Sequence, residues 1–172
     1  GGTYAPATSA SRTKFPKSTG ASVNIHYALH NRGGGWNEVV TNFDDSTSEG
    51  FAGVPYGSHD MLIAWVDSGT LMYRVHTKES GWLDYVQTAN YGDSVNGMAG
   101  LWGQTIDGVK MYYITPSGEY KQVYYRSQDV AHPDYHDEVC DDGTTYGGDD
   151  YAGIYGCALD RLQCYVSDGT RR

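Results

Sequence analysis

Cysteine is scarce in this chain, with 3 residues at positions 140, 157 and 164. They can form one intrachain disulfide at most, which excludes a disulfide-stapled scaffold. Their spacing fits no zinc ribbon or finger. Basic residues are also few: Lys and Arg number 12 against 21 Asp and Glu, a formal charge of −9. A broad phosphate-binding face is not expected, so nucleic acid is not an expected partner and anionic membrane surfaces fall down the list. Long apolar runs are missing. The longest, residues 61–66, falls far short of the roughly 20 residues that span a bilayer, and no membrane insertion is expected. No basic segment followed by an apolar run opens the sequence, so no secretion signal is legible. There is no nucleophile elbow, no His-Glu-x-x-His helix and no phosphate loop. Asp44 or Asp45 with Glu49 could supply the carboxylate pair of a glycosidase, but acidic loops offer such pairs by chance. The chain is read as non-catalytic.

What is abundant points to strands. Gly numbers 23 and Tyr 16, against 3 Phe. Many turn formers and many Tyr favour short strands, and no window carries a 3.6-residue apolar period. Tyr offers a flat apolar face with a polar tip, which suits carbohydrate.

One unit is repeated three times. His30 precedes Trp36, and His76 precedes Trp82, by the same step within Gly-Trp pairs. Ala52-Gly53, Ala99-Gly100 and Ala152-Gly153 each stand eight residues before an aspartate, namely Asp60, Asp107 and Asp160. Tyr135 takes the tryptophan position of the third unit, which is longer by a few residues placed at 116–119 and 129–133. After each aspartate one alternating set is apolar: Leu62, Ala64 and Val66; Val109, Met111 and Tyr113; Leu162, Cys164 and Val166. Period two with one apolar face predicts a half-buried strand. Further strands are expected over residues 25–30, 71–76 and 120–126, and over 36–41, 82–88 and 135–140. A Gly after each Ala-Gly pair (Gly57, Gly103, Gly156) suggests a short fourth strand or bulge. The expected fold is all-β and pseudo-threefold, β-trefoil-like, with a β-prism as the alternative. Residues 1–20 are read as a linker and 21–172 as one domain of three repeats (23–68, 69–116, 117–166).

The residues Tyr73-Arg-Val-His76, Gly81-Trp82, Ala99-Gly100 and Ile106-Asp107 resemble the clostridial hydrophobic repeat with a conserved Gly-Trp. The third unit, Tyr151-Ala-Gly through Leu-Asp-Arg-Leu162, is similar to C-terminal modules of bacterial and phage cell-wall hydrolases. The resemblance covers residues 23–166; Ala28 and Tyr135 depart from it where the pattern has Arg and Trp. It implies an extracellular, non-catalytic module that binds bacterial cell wall or another polysaccharide and is fused to a catalytic domain; a protein-interaction or structural module of a bacterial surface is the first alternative and a small secreted glycosidase the second.

Three loops, at 42–50, 90–97 and 141–150, combine an aromatic with carboxylates and small residues. Phe43, Tyr91 and Tyr146 are the candidate stacking faces for sugar. Asp44, Asp45, Asp93, Asp149 and Asp150 are the candidate acceptors for its hydroxyls. Solvated turns are the competing reading. No cofactor is expected; calcium, which takes oxygen ligands, is the one candidate, at Asp141, Asp142, Asp149 and Asp150. Trp36 and Trp82 are assigned to the core, and the three repeated aspartates to backbone hydrogen bonding. His132 and His136, with Asp134 and Asp137, could make a local surface site, but the default reading is of lone surface histidines. Cys164 is expected to be a buried free thiol, with Cys140 and Cys157 more exposed and able to pair.

Overall fold

The computed structural model describes residues 22–43, 50–119, 121–144 and 148–167. The linker read at 1–20 lies outside the described residues, and so do Asp44, Asp45 and Tyr146. Among the described residues there is no helix. The first unit holds β1 (Ile25–Asn31), β2 (Val40–Thr41) and β3 (His59–Val66). The second holds β4 (Thr70–Thr77), β5 (Gly81–Trp82), β6 (Ala99–Gly100) and β7 (Ile106–Ile114). The third holds β8 (Val123–Asp129), β9 (Val139–Cys140), β10 (Ala152–Gly153) and β11 (Leu159–Val166).

Each unit is built on a long antiparallel pair, β1 with β3, β4 with β7 and β8 with β11. β2, β5 and β9 add to the outer side of these pairs. They are shorter than the strands predicted at 36–41, 82–88 and 135–140. In the first unit the Asn37 amide takes up the Leu29 carbonyl, and pairing contracts to an isolated bridge at Trp36. β8 starts after position 120 because Thr115 engages both the carbonyl and the N–H of Lys121.

The Ala-Gly segments pair with the preceding unit. β6 lies against β3, β10 lies against β7, and Ala52 bridges Leu162 of β11. Unit two thus completes the sheet of unit one, unit three that of unit two, and unit one that of unit three. Three small antiparallel sheets result, and the sequence of pairings closes on itself. The Ala-Gly dipeptide follows from this contact. The alanines are buried, and Gly53, Gly100 and Gly153 adopt φ of 108°, 125° and 125°. A Cβ there would sit 2.1–2.3 Å from the carbonyl oxygens of Asp160, Asp60 and Asp107, each in the preceding unit. Only glycine meets both demands.

The predicted alternating set shares one core. Leu62, Ala64, Val109, Met111, Tyr113, Leu162, Cys164 and Val166 are buried together, with Val66 packed against them. Three tyrosines join them from the first strand of each unit. Tyr27 faces Ala64, Tyr73 faces Met111 and Tyr125 faces Cys164. Each hydroxyl donates to a loop carbonyl, of Asn42, Thr88 and Asp141. Tyr27 and Tyr125 also accept the N–H groups of Cys164 and Met111, again from the preceding unit. Burial pushes all three phenols up and keeps them neutral donors. None of the three cysteines forms a disulfide. Cys164 is buried as expected. Cys140, expected to be more exposed, is buried with Phe43, Tyr124 and Tyr165, because it stands opposite Tyr124 in the β8–β9 pairing.

Candidate functional site

The repeated aspartates occupy the seams between units. Asp60 Oδ1 accepts from His30 Nδ1 at 2.6 Å, and Asp107 Oδ1 from His76 Nδ1 at 2.5 Å. Their Oδ2 atoms accept the N–H groups of Gly103 and Gly156, at 2.9 and 2.8 Å, from the turn of the following unit. Asp160 Oδ2 likewise accepts from Tyr56 N–H at 2.8 Å. The backbone role assigned to these residues holds, but each bond crosses to another unit. The residue equivalent to Gly103 and Gly156 is Tyr56, not Gly57, and its φ is 64°.

Rings gather around each pair. In the first seam His30 meets the edge of Trp36 at 5.2 Å and of Trp102 at 4.8 Å, and Tyr91 closes on Trp36 at 4.9 Å. In the second, Tyr155 stacks on His76 at 4.2 Å, and Trp82 meets His76 edge-on at 5.3 Å. Trp82 Nε1 donates to the Tyr155 hydroxyl at 2.9 Å, and Tyr151 stacks under Tyr155. Arg74 and Lys110 lie over the Trp82 ring. Trp102 and Tyr155 occupy equivalent places in their turns and stay 53% and 51% exposed.

The third seam differs. Gln128 replaces the histidine, and Asp160 Oδ1 is buried with no hydrogen-bond partner. Burial pushes the Asp160 carboxyl up, against the opposing effect of the Tyr56 N–H. A cavity of about 450 Å³ opens here, bounded by Tyr56, Gln128, His132, Asp160 and Arg161 among others. Tyr56 is 81% exposed.

The predicted loop residues separate. Phe43 is only 5% exposed, its ring edge-on to Tyr165 and covered by Arg126, so its face is turned inward. Tyr91 is exposed and belongs to the first seam. Asp93 caps its own turn by accepting from Asn96 and Val95, and those N–H groups hold its carboxyl below the usual range. Asp149 Oδ1 accepts from Tyr151 N–H, and the exposed Asp150 lies 3.8 Å from Lys110. Asp44, Asp45 and Tyr146 lie outside the described residues. In the calcium candidate, Asp141 Oδ1 is taken up by the N–H groups of Tyr113 and Val123, and Asp142 Oδ1 by Thr144.

Trp36 and Trp82, assigned to the core, are half-buried outside it. Trp36 packs over a separate cluster of Ala28, Met61, Ile63 and Met98 on the outward face of the first sheet. The sequence reading missed Trp102, Tyr155 and Tyr56. The signal was present, since Trp102 and Tyr155 fall at the same step after Ala-Gly. His132 and His136 converge on Asp129 rather than standing alone. Comparison with protein-family models, with curated proteins and with solved structures returns no match.

Proposed function

We propose that the chain is a non-catalytic carbohydrate-binding module whose binding faces are the seams between units. The observation that carries this reading is the pair of exposed rings, Trp102 and Tyr155, at equivalent turn positions over His30–Asp60 and His76–Asp107. A pyranose presents an apolar C–H face to such a ring, and its hydroxyls find the indole, phenol, imidazole and cationic groups around it. Tyr91 extends the first face toward a hollow of about 350 Å³ lined by Ile63, Trp65 and Ala89. The carboxylates at the first two seams, Asp60 and Asp107, are committed to histidine and backbone N–H, which suits a binding face better than acid–base chemistry. An extracellular bacterial cell wall or a similar repeating polysaccharide is the proposed ligand, and an attached hydrolase the proposed fusion partner. Seams in series would bind such a polymer with avidity, because linked sites raise the effective concentration.

The fold belongs to the same proposal. Among the described residues no long strand of one unit is hydrogen-bonded to a long strand of the next. Three separate sheets exchanging edge segments fit a prism-like arrangement better than a trefoil barrel, which requires such pairing.

The test is titration of Trp102→Ala, Tyr155→Ala and the double variant against purified cell wall and a glycan array. Each single variant is expected to weaken binding by about 1 kcal/mol at its own face, a typical aromatic contact energy. The double variant is expected to lose most binding with its melting temperature kept. Unchanged binding by the folded double variant overturns the proposal. No glycan bound by the parent, together with specific retention of a surface protein, would place the module among protein-interaction domains instead.

A further inference from the structure

The end of β8 and the turn before β11 bring together side chains that the sugar reading leaves unused. Asp129 closes β8, His132 lies in the turn that follows, and Cys157 lies in the turn after β10. A carboxylate oxygen of Asp129, a ring nitrogen of His132 and Cys157 Sγ lie within 4.8 Å of one another. Asp129 is buried, and the other two are half-buried. His136 Nε2 also reaches Asp129 Oδ2, at 2.5 Å, and His132 Nδ1 reaches Oδ1 at 2.8 Å.

The equivalent place in the second unit shows what this location needs when no ligand is involved. There the register positions of Asp129 and Cys157 are held by Thr77 and Gln104, and Thr77 Oγ1 donates to Gln104 Oε1 at 2.7 Å. A neutral hydrogen bond closes that seam. In the third unit a carboxylate and a thiol replace this pair. The turn between Asp129 and Tyr135 is one residue longer than its counterpart and carries His132. Hydrogen bonding alone calls for none of these changes.

We propose that Asp129, His132 and Cys157 bind one zinc ion. Thiolate, imidazole and carboxylate are its ordinary ligands, at about 2.3, 2.0–2.1 and 2.0–2.2 Å. Ligand atoms in such a tetrahedron are about 3.5 Å apart, so the three donors need only small side-chain rotations. Cys157 binds as thiolate and releases its proton to solvent; His132 binds as neutral imidazole. His136 keeps its hydrogen bond to the second carboxylate oxygen and orients Asp129, a positioning role. The fourth coordination position opens toward the 450 Å³ cavity that Asp129 and His132 both line. Calcium, with its demand for six to eight oxygen ligands, fits this donor set poorly.

The experiment uses the reduced, metal-free full chain, titrated with cobalt(II) and then with zinc alone. One equivalent of cobalt is expected to give a near-ultraviolet thiolate-to-cobalt band, which one equivalent of zinc removes. Cys157→Gln installs the second unit's residue and should fold; it is expected to abolish the band. His132→Asn is expected to weaken zinc at least tenfold, and His136→Asn by about 10–100-fold, the usual effect of a supporting residue. Zinc is expected to raise the melting temperature of the parent and not of Cys157→Gln. The proposal is overturned if the parent shows no band, if the band survives in Cys157→Gln, or if His132→Asn binds zinc like the parent.

Discussion

The backbone N–H of Tyr56 donates to Asp160 Oδ2 at 2.8 Å, joining the first unit to the last across 104 residues of chain. The same bond is made by Gly103 to Asp60 and by Gly156 to Asp107, so the contact closes the ring of units. At Tyr56 it is made by a bulky residue at φ 64°, where the other units have glycine at 84° and 90°. A non-glycine residue in the left-handed region costs about 1–2 kcal/mol. Tyr56→Gly is expected to keep the hydrogen bond and hold or raise stability, by up to about 1 kcal/mol after the entropy of a freer unfolded chain. It is also expected to weaken glycan binding at the third seam, where the ring stands open. Urea melts and glycan titration read the two effects separately. A marked loss of stability would show that the ring is needed for packing.

The seam aspartates should differ in what they contribute. Asp107 has both oxygens engaged, by His76 and Gly156. Asp107→Asn removes a charge-assisted bond, worth about 1.5–3 kcal/mol, and should destabilise by that order. Asp160 has one buried oxygen without a partner, and its carboxyl is pushed up by burial. A raised carboxyl pKa means the folded state holds its proton longer. This group's contribution therefore falls as pH rises from the unfolded value near 3.9 through the raised folded value. Asp160→Asn keeps an acceptor for Tyr56 N–H and removes the buried charge. At neutral pH it should be as stable as the parent or more so, and at acid pH the difference should vanish. Denaturation midpoints across pH 3–7 check this, and equal losses in both variants would contradict it.

His59 gives stability the opposite pH dependence. It occupies the buried position held by Ile106 and Leu159 in the other units. Its Nδ1–H donates to the Leu159 carbonyl at 2.9 Å, and its Nε2 accepts from Val54 N–H at 3.1 Å. Those backbone partners fix the neutral tautomer and staple unit one to unit three. Burial holds its pKa below the usual value of 6.5. The unfolded chain then binds the proton first, so stability is full above about pH 6.5 and declines as pH falls toward the folded pKa. Protonation would also set Nε2–H against the Val54 N–H. His59→Leu should be less stable at pH 7, having lost both bonds, and should lack this step below pH 6.5. Thermal melts at pH 7.5, 6.5 and 5.5 read the step.

The repeat, the alternating core and the Ala-Gly and Asp positions were legible because they recur at fixed spacing. Leu62, Met111 and Cys164 could be placed in one core without coordinates. The partner of each recurrent residue was not legible. Spacing within a unit ties Ala99-Gly100 to Asp107, whereas the glycine presses on the carbonyl of Asp60, one unit earlier. A sequence read unit by unit carries no sign of such an exchange. Phe43 shows a second limit: a loop with Asn, Asp and Ser around an aromatic reads as exposed, yet β9 and β11 supply apolar cover from the far end of the chain. Trp102 and Tyr155 were overlooked because Pro55 breaks their pattern in the first unit.

Phe43 and Tyr91, read alike as stacking faces, should separate cleanly by experiment. Phe43 is packed with Tyr124, Cys140 and Tyr165, and the Arg126 guanidinium covers its ring at 5.4 Å. Deleting a buried Phe side chain typically costs about 3–5 kcal/mol. Phe43→Ala should lose stability of that order, toward the lower end because the cluster lies outside the main core. Its folded fraction should bind glycan as the parent does. Tyr91 is half exposed and touches Trp36 only edge-on. Tyr91→Ala should change stability by about 0.5 kcal/mol and weaken binding at the first seam. Urea denaturation and calorimetric titration of both variants, below their melting temperatures, give the two-by-two comparison. Lost binding in a Phe43→Ala protein of parental stability would return the site to the loops and away from the seams.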